Sequence, residues 1–160
     1  MEIFSEKQNL DIVDKRILEL LQEDANYTNK EIAAQLGLTI TPVYERIKKL
    51  KRNGIIKKTV TIIDAKKAGK NILAFCNVSL KEHTLDYINE FQDKIVQLEE
   101  VQACYHIAGQ YDYLLTVYAN DMDEYQNFIT TKLAAIENIA HVQSSFVMKE
   151  IKKEYSIKID

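Results

Sequence analysis

The sequence predicts an α+β protein in two parts, a small helical part followed by a larger part in which strands and helices alternate. Apolar residues recur at helical spacing through the first fifty residues, whereas β-branched and alternating runs appear after Gly54 and again from Ile72 onward. Between them lies the polar stretch DAKKAGKN, which has the composition of a hinge. The predicted division is therefore a first domain over residues 1–64, a linker over 65–71 and a second domain over 72–160.

Length and composition exclude several protein classes. The 160 residues are 46% hydrophobic and 28% charged, which suits one ordinary or two small globular domains. No apolar run approaches the ~18 residues of a membrane span, and MEIFSEKQNLD lacks the pattern of a secretory signal. Cys76 and Cys104 lie far apart in the sequence and do not form a metal-binding motif. These features predict a cytoplasmic protein with no membrane partner and no disulfide.

Two helices are expected before residue 38. The first is DIVDKRILELLQEDA, where Asp11 is a plausible N-cap. The second is TNKEIAAQLG, in which Thr28 and Glu31 have the spacing of a capping box and Gly37 is placed to end the helix. Each has a narrow apolar stripe, which predicts packing against a neighbouring helix.

A third helix follows, and its start is ambiguous. Pro42 is tolerated only in the first turn of a helix, so the helix begins at either Thr39 or Thr41. Val43, Ile47 and Leu50 have the spacing of a buried stripe. Asn53 and Gly54 end the helix, and the alternating run IIKKTVTIID after them predicts a strand or wing.

The third helix is also the most basic part of an acidic chain. The net charge of the whole protein is −3, yet residues 38–58 contain seven bases and one acid, Glu45. Two short helices joined by GLT, with small polar residues at the start of the second and cations along its flank, indicate a winged helix-turn-helix that binds double-stranded DNA. The alternative is a solvated basic helix in a three-helix core. The predicted DNA-binding residues are Thr39, Thr41, Pro42, Tyr44 and Glu45 near the bases, and Arg46, Lys48 and Lys49 near phosphates.

The remaining residues predict a β-α-β-β-α-β order, the ferredoxin-like arrangement. In this arrangement both helices cover one face of a four-stranded sheet, and the other face stays open. The predicted strands ILAFCNVSL and YLLTVYA carry apolar residues on both sides. An open apolar face on a small domain needs a partner, and a second copy of the same sheet is the simplest one.

The loop AGQYD between two of these strands is a candidate ligand site. Gly109 allows the backbone to approach a ligand closely, and Asp112 is able to accept a hydrogen bond from an ammonium group. A plain hairpin turn with an aspartate at the start of the strand explains the same residues equally well.

Motifs for chemical catalysis are missing from the sequence. His83, His106 and His141 are scattered, and Cys104 lies within an apolar strand. No nucleophile elbow, phosphate-binding loop or dinucleotide fingerprint occurs. We therefore predict no catalytic residue, no metal ligand and no cofactor. One alternative function stays open, because ferredoxin-like domains also serve as ligand-binding regulatory subunits of enzymes that act through protein contacts.

Taken together, these motifs resemble the Lrp/AsnC (feast/famine) family of transcriptional regulators. The resemblance rests on LDIVDKRILELLQEDA, EIAAQLGLTITPVYERIKKLKRNGII, AGQYDYLLTVYANDMDEY and HVQSSFVMKEI. It implies a RAM/ACT-like regulatory domain that dimerises, often assembles to octamers and binds an effector, usually an amino acid, between dimers. The family often has serine where Thr39 stands, and Pro42 and Tyr44 are individual to this chain. The effector-binding residues implied are Ala108, Gly109, Gln110, Tyr111 and Asp112 with Gln143, Ser144, Ser145 and Phe146.

Overall fold

A computed structural model describes residues 9–159, so the first eight residues and Asp160, which belong to the predicted first and second domains, lie outside the described residues. Within these bounds the chain forms two compact units. One contains the residues through Thr61 together with those from Lys152 onward, and the other contains Ile62–Ile151. The last segment of the chain thus groups with the helical unit, whereas the sequence pattern assigned it to the second domain.

Three helices build the first unit: α1 (Ile12–Glu23), α2 (Asn29–Leu36) and α3 (Ile40–Arg52). The capping predictions are confirmed. The side chain of Asp11 accepts a hydrogen bond from the Asp14 N–H at 2.8 Å, and Thr28 and Glu31 form a complete capping box. Gly37 ends α2 with φ 65°, a left-handed conformation that glycine adopts without strain. The buried side chains of the unit form one core: Ile17, Leu18, Leu20, Ile32, Ala33, Val43, Ile47 and Leu50.

The start of α3 is resolved in favour of the longer helix. Thr39 occupies the N-cap position, although its side chain makes no capping hydrogen bond. Pro42 is then the third helical residue, where its missing N–H would in any case have no carbonyl of the helix to bond.

The strand predicted after Gly54 is wrong, because the described chain forms no strand there. Ile55 and Ile56 pack against the helical core, and residues 57–64 have no regular secondary structure and are exposed. The alternating pattern is present, but a strand needs a neighbour for its backbone hydrogen bonds, and the described part of the chain supplies none here.

The second unit contains strands β1 (Ile72–Leu80), β2 (Val101–His106), β3 (Tyr113–Ala119) and β4 (Ile139–Phe146), with α4 (Leu85–Ile95) and α5 (Met122–Asn127). The sheet is antiparallel with the order β2-β3-β1-β4, which confirms the ferredoxin-like topology. Both helices contribute to a single core with the sheet, so they lie on the same face. Its largest fully buried side chains are Tyr113, Phe91, Phe128, Ile95, Leu115, Leu133, Val78 and Val117.

The second helix of this unit differs from the uniform α-helix that its apolar spacing predicts. After α5 the chain widens into a π-helical segment, Phe128–Leu133. The Thr130 and Thr131 hydroxyls donate to the carbonyl oxygens of Gln126 and Asn127 at 2.9 and 2.7 Å. These side chains compete with backbone N–H groups for the same carbonyls, which favours a departure from α-helical pairing.

The last residues of the described chain are attached to α1. The Gln22 side chain donates to the Ile157 carbonyl oxygen at 3.1 Å and accepts from the Ile157 N–H at 2.8 Å. Ile159 packs against the core of the helical unit. The helical unit is therefore built from two separate parts of the sequence.

Candidate DNA-binding and effector surfaces

The exposed surface of α3 is organised by its helical period. Val43, Ile47 and Leu50 are buried. Each residue turns the helix by 100°, so the side opposite this buried stripe carries residues spaced four, three and four apart in the sequence. These residues are Thr41, Glu45, Lys48 and Arg52, all exposed. The helix thus presents one line of polar side chains, which we call the outward line. Arg52 is not among the residues predicted to bind DNA, although its spacing from Lys48 in the sequence is enough to place it on this line.

The other predicted residues of α3 flank the outward line. Tyr44 is exposed on one side, and the ammonium of Lys48 lies 5.9 Å from the centre of its ring. Pro42 and Lys49 lie on the other side and are exposed. Thr39 is exposed at the N-terminus of the helix. Seven of the eight predicted side chains therefore lie open to solvent.

Arg46 is the exception, because its guanidinium is bound within the helical unit. Its Nη1 lies 2.5 Å from Asp11 Oδ2 and 2.7 Å from Asp14 Oδ1. Asp14 is the only buried charged residue in the described part of the chain. The Asp14 N–H and Arg46 lower the pKa of Asp11, and the two aspartates raise the pKa of Arg46. Arg46 thus connects α3 to the N-terminus of α1, and two carboxylates already neutralise its charge.

The predicted effector loop lies between β2 and β3. Ala108, Gly109 and Gln110 are exposed, and Gly109 has φ 147°. In the described part of the chain the Gly109 and Gln110 N–H groups have no hydrogen-bond partner. The Tyr111 hydroxyl donates to Gln143 Oε1 on β4. The loop therefore offers free backbone donors beside a tyrosine that is connected to the far edge strand.

Asp112 holds the base of this loop. Its Oδ2 accepts from the Leu80 N–H at 2.7 Å, and its Oδ1 lies 2.8 Å from His83 Nε2. Burial acts to raise the pKa of Asp112, but the Leu80 N–H and His83 outweigh burial, so the net pKa is lowered. Both carboxylate oxygens are engaged within the chain. His83, which sequence analysis set aside, is one of the partners, and no spacing in the sequence signals this pairing.

The four predicted residues of β4 divide between two faces of the sheet, because side chains alternate along a strand. Gln143 and Ser145 are opposite Asn77 and Phe75, on the open face. Ser144 and Phe146 are opposite Cys76 and Ala74, on the helix-covered face. There the Ser144 hydroxyl accepts from Tyr125 at 2.6 Å, and the Phe146 ring packs edge-on against Tyr125 with centroids 4.9 Å apart. These four residues cannot contact a single small ligand together on one face.

Both units of the chain match known protein families. Residues 10–57 match a profile described as winged helix-turn-helix DNA-binding, and residues 73–157 match one described as the Lrp/AsnC ligand binding domain. The chain belongs to the Lrp/AsnC family. It is a DNA-binding transcriptional regulator, as the pairing of the two domains and the names of its relatives indicate.

Several known transcriptional regulators match this chain along most of their length. The transcriptional regulator AzlB of Bacillus subtilis is 38% identical over 94% of this chain and 96% of its own. The DNA-binding transcriptional activator DecR of Escherichia coli is 32% identical, with 94% and 99% covered. In three dimensions the regulator NMB0573 of Neisseria meningitidis, solved with L-Met, has a TM-score of 0.88 at 31% identity, covering 93% of this chain and 96% of its own.

Other kinds of site are not seen in the described residues. No group of three or more His, Cys, Asp or Glu side chains there is arranged to hold a metal ion. No helix in residues 9–159 is both long enough and apolar enough to cross a membrane. AzlB and DecR are named as transcriptional regulators.

Proposed function

We propose that this Lrp/AsnC protein binds specific DNA sequences through α3 and that an amino acid changes its DNA affinity by binding beside the loop before β3. The observation that carries the proposal for DNA is the outward line of α3. It places a small hydroxyl, a carboxylate and two cations along the one side of the helix that the core leaves open. A helix of this kind fits the major groove, where short side chains reach bases and cations neutralise phosphates.

The roles within α3 follow from the contacts described above. Thr39, Thr41, Pro42, Tyr44 and Glu45 lie toward the start of the helix and are assigned to the bases. Lys48, Lys49 and Arg52 are assigned to phosphates. Arg46 is assigned to positioning α3 on α1, because its charge is already satisfied by Asp11 and Asp14.

Replacing one phosphate-binding cation tests the DNA interface. Lys49→Ala is expected to weaken binding to specific and random duplexes by the same factor, because phosphates carry no sequence information. It should also reduce the slope of log affinity against log salt by about one unit. Fluorescence anisotropy at four salt concentrations measures both quantities. Lys81→Ala, which removes an exposed cation from the sheet unit, is the control and should change neither. An unchanged slope in Lys49→Ala would place α3 away from the phosphates.

For the effector, we propose a site formed by the Gly109 and Gln110 N–H groups with Tyr111, Gln143 and Ser145. An amino-acid carboxylate needs donors, and the two free N–H groups supply them. The amides and hydroxyls on the open face supply acceptors for the ammonium group. The regulator from Neisseria meningitidis was solved with L-Met, which supports an amino acid as the ligand class. Asp112 is assigned to holding the loop, since Leu80 and His83 already occupy its two oxygens.

Loss of the response in a loop variant tests the effector site. A thermal-shift screen against the twenty amino acids identifies the ligand, since a hundredfold excess over the dissociation constant stabilises by about 2.7 kcal/mol. Gly109→Val is then expected to abolish both that shift and the effect of the ligand on DNA affinity. A Cβ placed there meets no atom within 4 Å, but φ 147° is strained for valine, so the loop must change shape.

The control for this variant is Gly69→Val. Gly69 also has a positive φ, 90°, and open space around it, but it lies in the linker. Its ligand response should stay normal, and both variants should retain DNA binding in the absence of the amino acid. A Gly109→Val protein with an unchanged response to the amino acid would show that the loop is not part of the binding site. Coupling between the two sites is expected to be about 1–3 kcal/mol and reciprocal.

The open face of the sheet is proposed as the surface for self-association. Leu73, Phe75, Leu114 and Tyr105 lie on the face opposite the helices, and Phe75 is 38% exposed and Tyr105 55% exposed. Covering them with the same face of a second copy removes this apolar surface from water. The resulting dimer, and an octamer built from such dimers, stay predictions.

A further inference from the structure

Glu45 is the acidic member of the outward line. Residues 38–58 contain seven bases and one acid. The acid is Glu45, and its side chain is exposed. Lys49 follows it by four residues, the spacing and order that favour an ion pair on a helix. Nevertheless, in the described part of the chain Glu45 forms no salt bridge and no hydrogen bond. Lys48, its other near neighbour, lies against the ring of Tyr44. The carboxylate is therefore available to an external partner.

A carboxylate in this place opposes binding to phosphates. Its charge repels the DNA backbone that the neighbouring lysines attract, so it weakens non-specific binding. It is favourable only where it accepts a hydrogen bond from a base edge in the groove. From the second turn of α3, on the same line as Thr41, the side chain projects in the direction that the core leaves open.

The donor pattern of the major groove selects the base. Guanine presents two acceptors, and thymine presents an acceptor and a methyl group. Adenine presents an amine next to the N7 acceptor, which repels a carboxylate. Cytosine alone presents an amine without an adjacent acceptor. We infer that Glu45 is a specificity-determining residue that accepts a hydrogen bond from the N4 amine of a cytosine in the operator. This inference rests on the proposed docking of α3 in the major groove.

The inference predicts a change of preference, not merely a loss of affinity. Selection from a randomised duplex library, followed by sequencing, should give a wild-type motif with a cytosine at one position of each half-site. Glu45→Gln should replace this cytosine by adenine, because glutamine pairs with the N6 and N7 of adenine. At that base pair the preference for cytosine should fall by roughly 5- to 150-fold. Glu45→Gln should also bind random duplex several-fold more tightly, since one negative charge is removed.

The matched control is Glu23→Gln, which removes the same charge from an exposed residue at the end of α1 in the same unit. It should leave the motif unchanged. Since Glu45 has no partner among residues 9–159, its variant should melt at the wild-type temperature. If the wild type selects a motif and Glu45→Gln selects the same bases at every position, the inference is overturned. If the wild type selects no motif at all, the proposed function fails instead.

Discussion

Leu114→Asp is expected to give soluble monomers under conditions in which the wild-type protein self-associates. Leu114 lies on β3 opposite Asn77 and Tyr105, on the face that the helices leave open. In a face-to-face dimer the new carboxylate is buried without a partner, which costs several kcal/mol. A cost of about 4 kcal/mol raises the dissociation constant roughly a thousandfold. Sedimentation velocity over a range of protein concentrations measures this change.

A second leucine provides the control. Leu85 is 77% exposed at the start of α4, on the opposite side of the sheet, and Leu85→Asp makes the same chemical change there. This variant should associate like the wild type. Leu115 and Val117 are unsuitable for the test, because both are fully buried under the helices and a charge there would unfold the unit. A Leu114→Asp protein with wild-type association would exclude the open face as the contact.

Arg46→Ala is expected to destabilise the helical unit by about 2–3 kcal/mol. It leaves the buried Asp14 carboxylate without its cation, and removal of one partner from a buried pair is strongly destabilising. The value lies below that for a fully buried pair because the Arg46 side chain is 33% exposed. For a unit of about sixty residues this corresponds to a fall in Tm of roughly 15–25 °C. Thermal unfolding followed by circular dichroism measures it.

A double variant separates this structural role from DNA binding. Arg46→Ala with Asp14→Ala should recover part of the loss, because no buried charge is left unpaired. Below its melting temperature, Arg46→Ala should keep the wild-type salt slope for DNA, in contrast to Lys49→Ala. A wild-type Tm combined with a slope reduced by about one unit would show that Arg46 binds phosphate and not Asp14.

The elements that the sequence predicted correctly depend on local interactions. The capping box at Thr28, the glycine after α2 and the buried stripe of α3 are all set by residues within a few positions of one another. The βαββαβ order likewise follows from alternation along each strand. A single sequence contains this information, because hydrogen bonds and side-chain periodicity act over one or two turns.

The features that the sequence did not reveal depend on distant partners. Arg46 looks like one more cation of a basic helix until α1 brings Asp14 beside it, 32 residues away in the chain. Residues 57–64 are exposed and have the alternating pattern of a strand, but the described part of the chain offers them no strand to pair with. The predicted contribution of Ser144 and Phe146 to a ligand site depended on which face of β4 they occupy, and register sets that face.

The attachment of Ile157 to α1 affects the order in which the two units are completed during translation. Ile157 and Ile159 complete a unit whose helices are near the beginning of the chain, so translation delivers the whole sheet unit before the helical unit receives its final segment. The sheet unit has its four described strands by residue 146 and is built from one continuous stretch, Ile62–Ile151. The order of synthesis therefore gives a complete sheet unit before a complete helical unit.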